Sequence, residues 1–239
     1  MTFLNLNHRP DAQLRHQIIA TALEMNRLGI NQGKSGNVSA RMAQEADGVL
    51  SPNSFLITPT GIAYAETRPE QIVAMQSNGN HSGNILPSSE WRFHRDIYVS
   101  RPDVHAIVHT HAAYCTTLAC MSREIPAFHY MVAVAGGDNI RCAPYATFGT
   151  QALSNHALTA LTDRKACLLA QHGMIAVGDT LAQTLSIAVE VESLARQYWQ
   201  ALQIGTPPVL DAAEMATVLE KFKTYGQQNL QQALKPELN

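Results

Sequence analysis

The chain has 239 residues, of which 46% are hydrophobic and 15% charged, and its formal net charge is −2. This composition supports a sizeable core and excludes an intrinsically disordered chain, and the near-neutral charge argues against a generally basic nucleic-acid-binding protein. No apolar run is long enough to cross a bilayer, and residues 1–10 lack the pattern of a secretory signal. We therefore expect a cytoplasmic protein with no membrane partner.

The sequence contains no internal repeat, low-complexity tract or linker, so we expect a single domain over residues 1–239. Helical periodicity and capping residues predict helices over 12–28, 88–100 (capped by Ser88 or Ser89), 112–121, 181–202 (capped by Thr180) and from Asp211 onward. β-rich runs predict strands at 38–41, 55–58, 104–109, 166–170 and 174–177, with a polar loop at 43–53. Because several strands are close enough in sequence to pair antiparallel, we predict an α/β fold. Its central sheet would be mixed, largely antiparallel and flanked by helices in three layers.

Ten histidines are present, and two of them form the motif His109-Thr110-His111 at the end of a predicted strand. Side chains two residues apart in a strand point to the same face, so both imidazoles can converge on one point. His172 interrupts another apolar strand pair and is followed by Gly173, which leaves room beside it. Three such imidazoles would make an open zinc-type site, whereas a chance H-x-H in a histidine-rich chain is the competing explanation.

Glu90 follows two serines at a predicted helix start, where the helix dipole favours the ionised form of the carboxylate. Such a carboxylate can act as a general base or a labile metal ligand, or it can simply complement the dipole. Tyr130 and Tyr225 are candidate proton donors, although a single tyrosine usually has a packing role. We expect His94 and His129 either to be structural or to hydrogen-bond near a site residue, with His94 close to Glu90 and His129 close to Tyr130.

Three polar turns carry backbone N–H groups and hydroxyls that can hold a phosphate, although none matches a P-loop and each could be an ordinary turn. These turns are Gly36-Asn37, Thr60-Gly61 and Ser88-Ser89. Lys34 lies close to the first turn. Its charge either contributes to a phosphate site or is solvated.

Nine short segments of the chain form a specific combination. They are Asn31–Gly33 with Gly36–Ser39, Ile57–Gly61, Pro87–His94, His109–His111, Ile125–Met131, Ala143–Thr150, Gln171–Gly173 and Lys221–Gly226. Together they resemble the class II aldolase/adducin family over most of the chain, most strongly the members that cleave L-fuculose 1-phosphate. The resemblance implies a mixed sheet flanked by helices and a homotetramer with active sites at subunit interfaces.

The resemblance also implies a role for each matched position. His109, His111 and His172 would bind one Zn²⁺ per subunit. Glu90 would complete the ligand set in the resting enzyme and act as acid/base once substrate displaces it. Tyr130 would reach into the neighbouring subunit's site and handle the proton on the aldehyde oxygen.

For the substrate, the resemblance implies a phosphate site and an aldehyde pocket. The phosphate would be held by Gly36, Asn37, Thr60, Gly61, Ser88 and Ser89. Phe148 and Tyr225 would line the aldehyde pocket. Two features depart from the family pattern: Lys34-Ser35 replaces a small neutral pair, and the loop 43–53 is longer.

The expected reaction is zinc-dependent cleavage of a ketose 1-phosphate, with L-fuculose 1-phosphate as first choice, to dihydroxyacetone phosphate and a small aldehyde such as L-lactaldehyde. 5-Deoxyribulose and 5-methylthioribulose 1-phosphates are alternative substrates. A ribulose-phosphate 4-epimerase, a decarboxylase and a dehydratase are alternative activities within the family. A non-catalytic, adducin-like module is a further alternative, and the intact set of three histidines argues against it.

Overall fold

The computed structural model describes residues 11–42 and 53–224. The helices of this part of the chain span Ala12–Arg27 (α1), Trp91–Ser100 (α2), Ala113–Cys120 (α3), Gln151–Ala160 (α4), Leu181–Ile204 (α5) and Ala212–Phe222 (α6). The strands span Asn37–Arg41 (β1), Phe55–Ile57 (β2), Val73–Met75 (β3), Ala106–Thr110 (β4), Cys142–Ala143 (β5), Ala166–Leu169 (β6) and Gly173–Gly178 (β7). The predicted polar loop, apart from Asn53, and Tyr225 lie outside the described residues.

The five predicted helices are confirmed, and two of the predicted caps form as expected. Thr180 Oγ1 accepts a hydrogen bond from the Gln183 backbone N–H at 3.1 Å, and Asp211 Oδ1 accepts one from Glu214 at 2.8 Å. The prediction that Ser88 or Ser89 caps α2 was wrong. Glu90 occupies the N-cap position, and its side chain turns towards the histidines without capping the helix.

The seven strands form one sheet in the order β3-β2-β1-β4-β7-β6-β5. Every neighbouring pair is antiparallel except β5 and β6, which are parallel. The prediction of a mixed, largely antiparallel sheet is therefore confirmed. The strands β3 and β5 and the helix α4 were not anticipated. The two strands have only three and two residues, which is too short to show a periodic pattern.

Helices cover both faces of the sheet, which gives the three predicted layers. One core packs α1, α3, α5 and α6 against one face, and a second core packs α2 and α4 against the other. Because side chains alternate along a strand, Ile107 and His109 of β4 point towards α2 while Val108 points to the opposite core. Asn37 pairs with His109 in the β1–β4 register, which places both residues below the start of α2. None of the described helices is long and apolar enough to cross a membrane.

Candidate active site

Three histidines from two separate parts of the chain meet at one end of the sheet. One ring nitrogen each from His109, His111 and His172 lies within 4.8 Å of the other two. His109 Nε2 and His111 Nε2 are 3.1 Å apart. The three rings are mutually inclined by 74–75°, and their centroids lie 4.8–5.0 Å apart. The predicted convergence of these imidazoles is therefore observed.

The ring of His109 is fixed by its second nitrogen. His109 Nδ1 lies 2.9 Å from the carbonyl oxygen of Met174, which can only accept, so Nδ1 carries the proton. In the neutral ring, the lone pair of Nε2 is then directed towards the other two histidines. A backbone carbonyl behind the ring is the usual support for a metal-binding histidine, because it sets both the tautomer and the ring orientation.

His172 is aimed by a tight connection between β6 and β7. The preceding residue, Gln171, has a left-handed backbone with a φ of 52°, and its backbone N–H donates to Ala119 at 3.0 Å. Gly173 follows, at a point where a Cβ atom would lie 2.5 Å from the Thr110 carbonyl oxygen and 2.9 Å from His111 Cδ2. The absence of a side chain at this position allows the two histidine segments to approach each other.

The variant Gly173→Ala is expected to separate these segments. Its methyl group would push β7 away from the end of β4, at a cost of about 1–3 kcal/mol in the free energy of unfolding, and would weaken metal binding. Thermal unfolding and metal titration measure the two effects. Gly205→Ala is the matched control, because a Cβ atom there has no neighbour within 4 Å. Equal behaviour of the two variants would contradict the packing argument.

Glu90, at the start of α2, places a carboxylate beside the three histidines. It is only 5% exposed, and its Oε2 lies 3.1 Å from His109 Nε2 while its Oε1 lies 3.2 Å from His172 Nε2. Oε2 also accepts a hydrogen bond from Asn37 Nδ2 at 3.0 Å. The N-terminus of α2 therefore places Glu90 against the three histidines.

The electrostatics of the site follow from this proximity. Burial raises the pKa of Glu90, but interactions with His109 and His172 outweigh burial and hold the pKa well below its usual value of 4.5. At His109, burial lowers the pKa, and the charge and hydrogen bond of Glu90 reverse this and raise it above 6.5. Burial, together with the neighbouring His109 and His172, lowers the pKa of His111 to about 4. Glu90 is thus ionised, and His111 is neutral near pH 7.

These side chains fit a divalent cation. Glu90 Oε1 is buried and accepts no well-formed hydrogen bond from the described chain, although it faces His172. An oxygen of this kind carries a desolvation cost that a cation removes. The donor set of three imidazole nitrogens and one carboxylate suits zinc and similar divalent ions, and a displaceable carboxylate would leave a position for substrate.

Glu192, in the middle of α5, holds the segment that follows His111. Its two carboxylate oxygens accept hydrogen bonds from the backbone N–H groups of Tyr114 and Cys115, at 2.9 and 2.8 Å. These bonds satisfy free donors in the first turn of α3 and complement its dipole. Sequence reasoning missed this residue, because nothing in a glutamate 77–78 positions away marks it as a cap.

The candidate phosphate turns lie side by side next to Glu90. The backbone N–H of Ser88 donates to the Thr58 carbonyl at 3.0 Å, and that of Thr60 donates to Leu86 at 3.1 Å. Lys34 Nζ donates to the Gly61 carbonyl oxygen at 2.7 Å, which links the first turn to the second.

The first of these turns is packed tightly against the histidine strand. Tyr64 Oη donates to the Gly36 carbonyl oxygen, and a Cβ atom at Gly36 would lie 2.7 Å from Asn31 Oδ1. The structure thus brings the three turns together at one edge of the site.

The residues predicted to meet the aldehyde lie further out. Phe148 is 65% exposed, and the next residue, Gly149, approaches the Ser89 carbonyl so closely that a Cβ atom would lie 2.8 Å from it. Tyr130 is 47% exposed, and its ring stacks on His129 at 4.9 Å. Within the described chain, no hydrogen bond or ring contact joins Tyr130 to the three histidines.

The comparison with known families decides the classification. The family described as Class II Aldolase and Adducin N-terminal domain matches residues 16–199. The chain belongs to this family. A 5-methylthioribulose-1-phosphate/5-deoxyribulose-1-phosphate aldolase from Rhodospirillum rubrum is 57% identical over 89% of this chain and 92% of its own length. An L-fuculose phosphate aldolase from Escherichia coli K12 is 54% identical over 90% of this chain and 96% of its own length.

A solved structure of an L-fuculose 1-phosphate aldolase superposes on this class II aldolase with a TM-score of 0.82. It is 39% identical in sequence and covers 88% of this chain and 96% of its own. The protein is therefore an enzyme of a metal-dependent aldolase class, and the alternative of a non-catalytic module is set aside. The three histidines found in the sequence form a group that could hold the metal ion on which this class depends.

Proposed function

We propose that this class II aldolase cleaves a ketose 1-phosphate by a zinc-dependent retro-aldol reaction, which yields dihydroxyacetone phosphate and a small aldehyde. The observation that supports this proposal most strongly is the convergence of His109, His111 and His172 with Glu90. Cleavage of the bond between the α and β carbons of a ketone leaves an electron pair on the α carbon, and its negative charge is delocalised onto the carbonyl oxygen. In the proposed site, a cation held by the histidine nitrogens would lie at the point where that charge develops and would stabilise it. Glu90 is the carboxylate beside it.

L-Fuculose 1-phosphate, which would give L-lactaldehyde, is the first candidate substrate, supported by the Escherichia coli relative and by the fold comparison. 5-Methylthioribulose and 5-deoxyribulose 1-phosphates are the second, favoured by the relative at 57% identity. These ketose phosphates share the part that becomes dihydroxyacetone phosphate and differ in the part that leaves as aldehyde. The proposal therefore assigns one metal and phosphate site to all of them.

In the proposed reaction, Zn²⁺ held by His109, His111 and His172 would supply a Lewis acid for the ketone oxygen and its neighbouring hydroxyl. Tyr130 of an adjacent subunit would take the proton from the hydroxyl that becomes the aldehyde. As the carbon–carbon bond breaks, its electron pair passes into an enediolate. Glu90, displaced from the metal by substrate, would first take up a proton from solvent and then deliver it to the enediolate carbon. The proton that leaves the hydroxyl through Tyr130 would pass to solvent, so that the proton count balances.

The remaining predicted residues would bind the rest of the substrate. The phosphate would be held by Gly36, Asn37, Thr60, Gly61, Ser88 and Ser89. The hydroxyls, the second N–H of the Asn37 amide and the backbone N–H groups that do not already donate within the chain would orient the ketose phosphate. This orientation is the positioning contribution to the rate. Phe148 and Tyr225 would line the aldehyde pocket and distinguish the two groups of candidate substrates.

Lys34 is proposed to add positive charge to this phosphate site, and Lys34→Gln tests it. We expect KM for the phosphorylated substrate to rise about 2- to 5-fold, in line with the ~0.5–1 kcal/mol of an exposed ion pair, with little change in kcat. The effect should shrink at high salt, and Lys34→Arg should retain most of the affinity. Inhibition by inorganic phosphate, measured on all three proteins, is the check. Unchanged inhibition in Lys34→Gln would show that Lys34 only bridges to Gly61.

The proposed assembly is a cytoplasmic homotetramer in which each 239-residue chain forms one domain, binds one Zn²⁺ and completes its active site at a subunit interface. The exposure of Tyr130 and Phe148 supports this proposal, because both would be covered by, or reach into, a neighbouring subunit. Tyr145, three residues before Phe148, is a further exposed aromatic side chain, at 58% exposure.

The proposed function is tested by measuring dihydroxyacetone phosphate released from L-fuculose, 5-deoxyribulose and 5-methylthioribulose 1-phosphates. We expect cleavage of at least one of them, loss of activity with a chelator and recovery with Zn²⁺. The substrate with the highest kcat/KM identifies the aldehyde. Formation of an epimer without dihydroxyacetone phosphate, or cleavage that a chelator leaves intact, would contradict the proposal.

A further inference from the structure

A continuous chain of buried polar side chains runs from Glu90 into the layer between the sheet and α2. In order from the site, its members are Glu90, Asn37, His94, Ser39 and Tyr98. The successive distances are 3.0 Å from Asn37 Nδ2 to Glu90 Oε2, 2.5 Å from His94 Nε2 to Asn37 Oδ1, 2.6 Å from Ser39 Oγ to His94 Nδ1 and 2.8 Å from Ser39 Oγ to Tyr98 Oη. The four residues behind Glu90 are at most 2% exposed.

The backbone positions these groups without help from flexible loops. Asn37 and Ser39 are two residues apart on β1, so their side chains share the face that meets α2. His94 and Tyr98 are four residues apart on α2, so they lie on the same side of the helix, one turn apart. This side faces the sheet. The tyrosine ring is itself held by Phe55, at 5.1 Å between ring centroids.

Each hydrogen bond in the chain has only one possible direction. An ionised Glu90 can only accept, so the atom of Asn37 that faces it is the NH₂ group, and the amide oxygen must face His94. His94 Nε2 must then carry a proton, because two lone pairs at 2.5 Å would repel each other. A neutral His94 accepts at Nδ1 from the Ser39 hydroxyl, and Ser39 in turn accepts from Tyr98.

We propose that His94 is a positioning residue for Glu90. Its Nε2–H group anchors the oxygen of Asn37, which keeps the Asn37 NH₂ group turned towards Glu90 Oε2. This bond fixes the plane of the carboxylate so that Oε1 faces His172 and Oε2 faces His109. The Ser39 hydroxyl holds His94 in the required tautomer. Without the His94 anchor, the Asn37 amide could rotate and place its oxygen against the carboxylate.

Two substitutions of His94 separate positioning from packing. Both His94→Asn and His94→Gln replace the ring with an amide, but only the glutamine is long enough to place its NH₂ group near the position of Nε2. We expect His94→Asn to lower kcat for ketose phosphate cleavage by ~10- to 100-fold, with wild-type metal content and a smaller change in KM. His94→Gln should recover most of the lost kcat. Equal losses in both variants, or no loss in His94→Asn, would overturn the proposal.

Thr184→Val is the control for loss of a buried hydrogen bond elsewhere. Thr184 is fully buried, and its hydroxyl donates to the Thr180 carbonyl oxygen at 2.8 Å. It lies in α5, which packs on the face of the sheet opposite α2. We expect it to lower the melting temperature while kcat stays at the wild-type value. If the loss of kcat relative to the loss of melting temperature were the same in His94→Asn and Thr184→Val, His94 would be only a structural residue.

The inference rests on the proposed role of Glu90, so a second measurement is independent of turnover. ¹⁵N NMR of histidine side chains in the whole protein near pH 7 should show His94, identified by its absence in His94→Gln, protonated at Nε2 and not at Nδ1. His109 should show the opposite tautomer, since its Nδ1 faces a carbonyl. If these tautomers were observed but no ketose phosphate were cleaved, the proposed function would be rejected and the hydrogen-bond chain would stand. The Nδ1–H tautomer at His94 in an active enzyme would reject the inference alone.

Discussion

Replacing His172 with alanine is expected to remove both the bound metal and the aldolase activity. The change deletes one of three ring nitrogens that lie within 4.8 Å of one another, and it leaves Glu90 Oε1 without the imidazole that it faces at 3.2 Å. In the proposed reaction Glu90 is displaced by substrate, so only His109 and His111 would then hold the metal. We expect kcat/KM to fall by more than ~100-fold, the upper end of what loss of a supporting residue costs. Metal content of the purified protein and the rate of dihydroxyacetone phosphate release measure the effect.

The matched control is His105→Ala, at the opposite end of the same strand region. His105 is half-exposed and lies 3.2 Å from Asp179. We expect this variant to keep one metal ion per chain and near wild-type activity. Circular dichroism should show that both variants are folded. Turnover that persists in a metal-free, folded His172→Ala protein would remove the metal from the proposed mechanism.

Replacing Glu90 with glutamine is expected to separate proton transfer from metal binding. Glutamine has the same shape as glutamate, but its amide cannot carry the proton to or from the enediolate carbon. The three histidines remain, so we expect the metal to stay bound while kcat falls ~10²- to 10⁴-fold, the usual contribution of a general acid or base. The low pKa of Glu90, caused by His109 and His172 against the effect of burial, keeps the wild-type residue ionised before reaction.

The proton step can be followed without carbon–carbon cleavage. In D₂O, the wild-type protein should exchange one hydrogen of dihydroxyacetone phosphate for deuterium, and ¹H NMR detects the exchange. We expect Glu90→Gln to lose this exchange. Tyr130→Phe should keep it but lose cleavage, because Tyr130 is proposed to act on the aldehyde oxygen. Rapid exchange in Glu90→Gln would assign the proton transfer to another group.

The convergence of the three histidines was predictable because each of them occupies a distinctive position in the sequence. His109 and His111 alternate with Thr110 at the end of a β-rich run, and His172 breaks an apolar run at a turn. A polar side chain in such a position needs a partner, and three of them in one fold point to a shared one. The glycine after His172 also indicated a crowded position, and the close approach of β4 and β7 at this point explains it.

A supporting role for His94 was one of the predictions, but the hydrogen bonds behind Glu90 could not be predicted, because they depend on how distant elements align. Asn37 faces Glu90 only because β1 pairs with β4 in the register that sets Asn37 opposite His109. His94 contacts Ser39 only because α2 crosses this face of the sheet. Glu192 caps α3 from the middle of another helix. Spacing along the chain carries none of this information, whereas the family pattern carries the site residues but not their hydrogen bonds.

The central claim is that His109, His111 and His172 bind one divalent cation together. X-ray absorption spectroscopy of the zinc-loaded protein tests it directly. The account predicts one Zn²⁺ per chain with imidazole ligands at about 2.0–2.1 Å, and one imidazole fewer in His172→Ala whenever that protein retains metal. A zinc ion with oxygen or sulfur ligands only, or an unchanged imidazole number in His172→Ala, would contradict the claim.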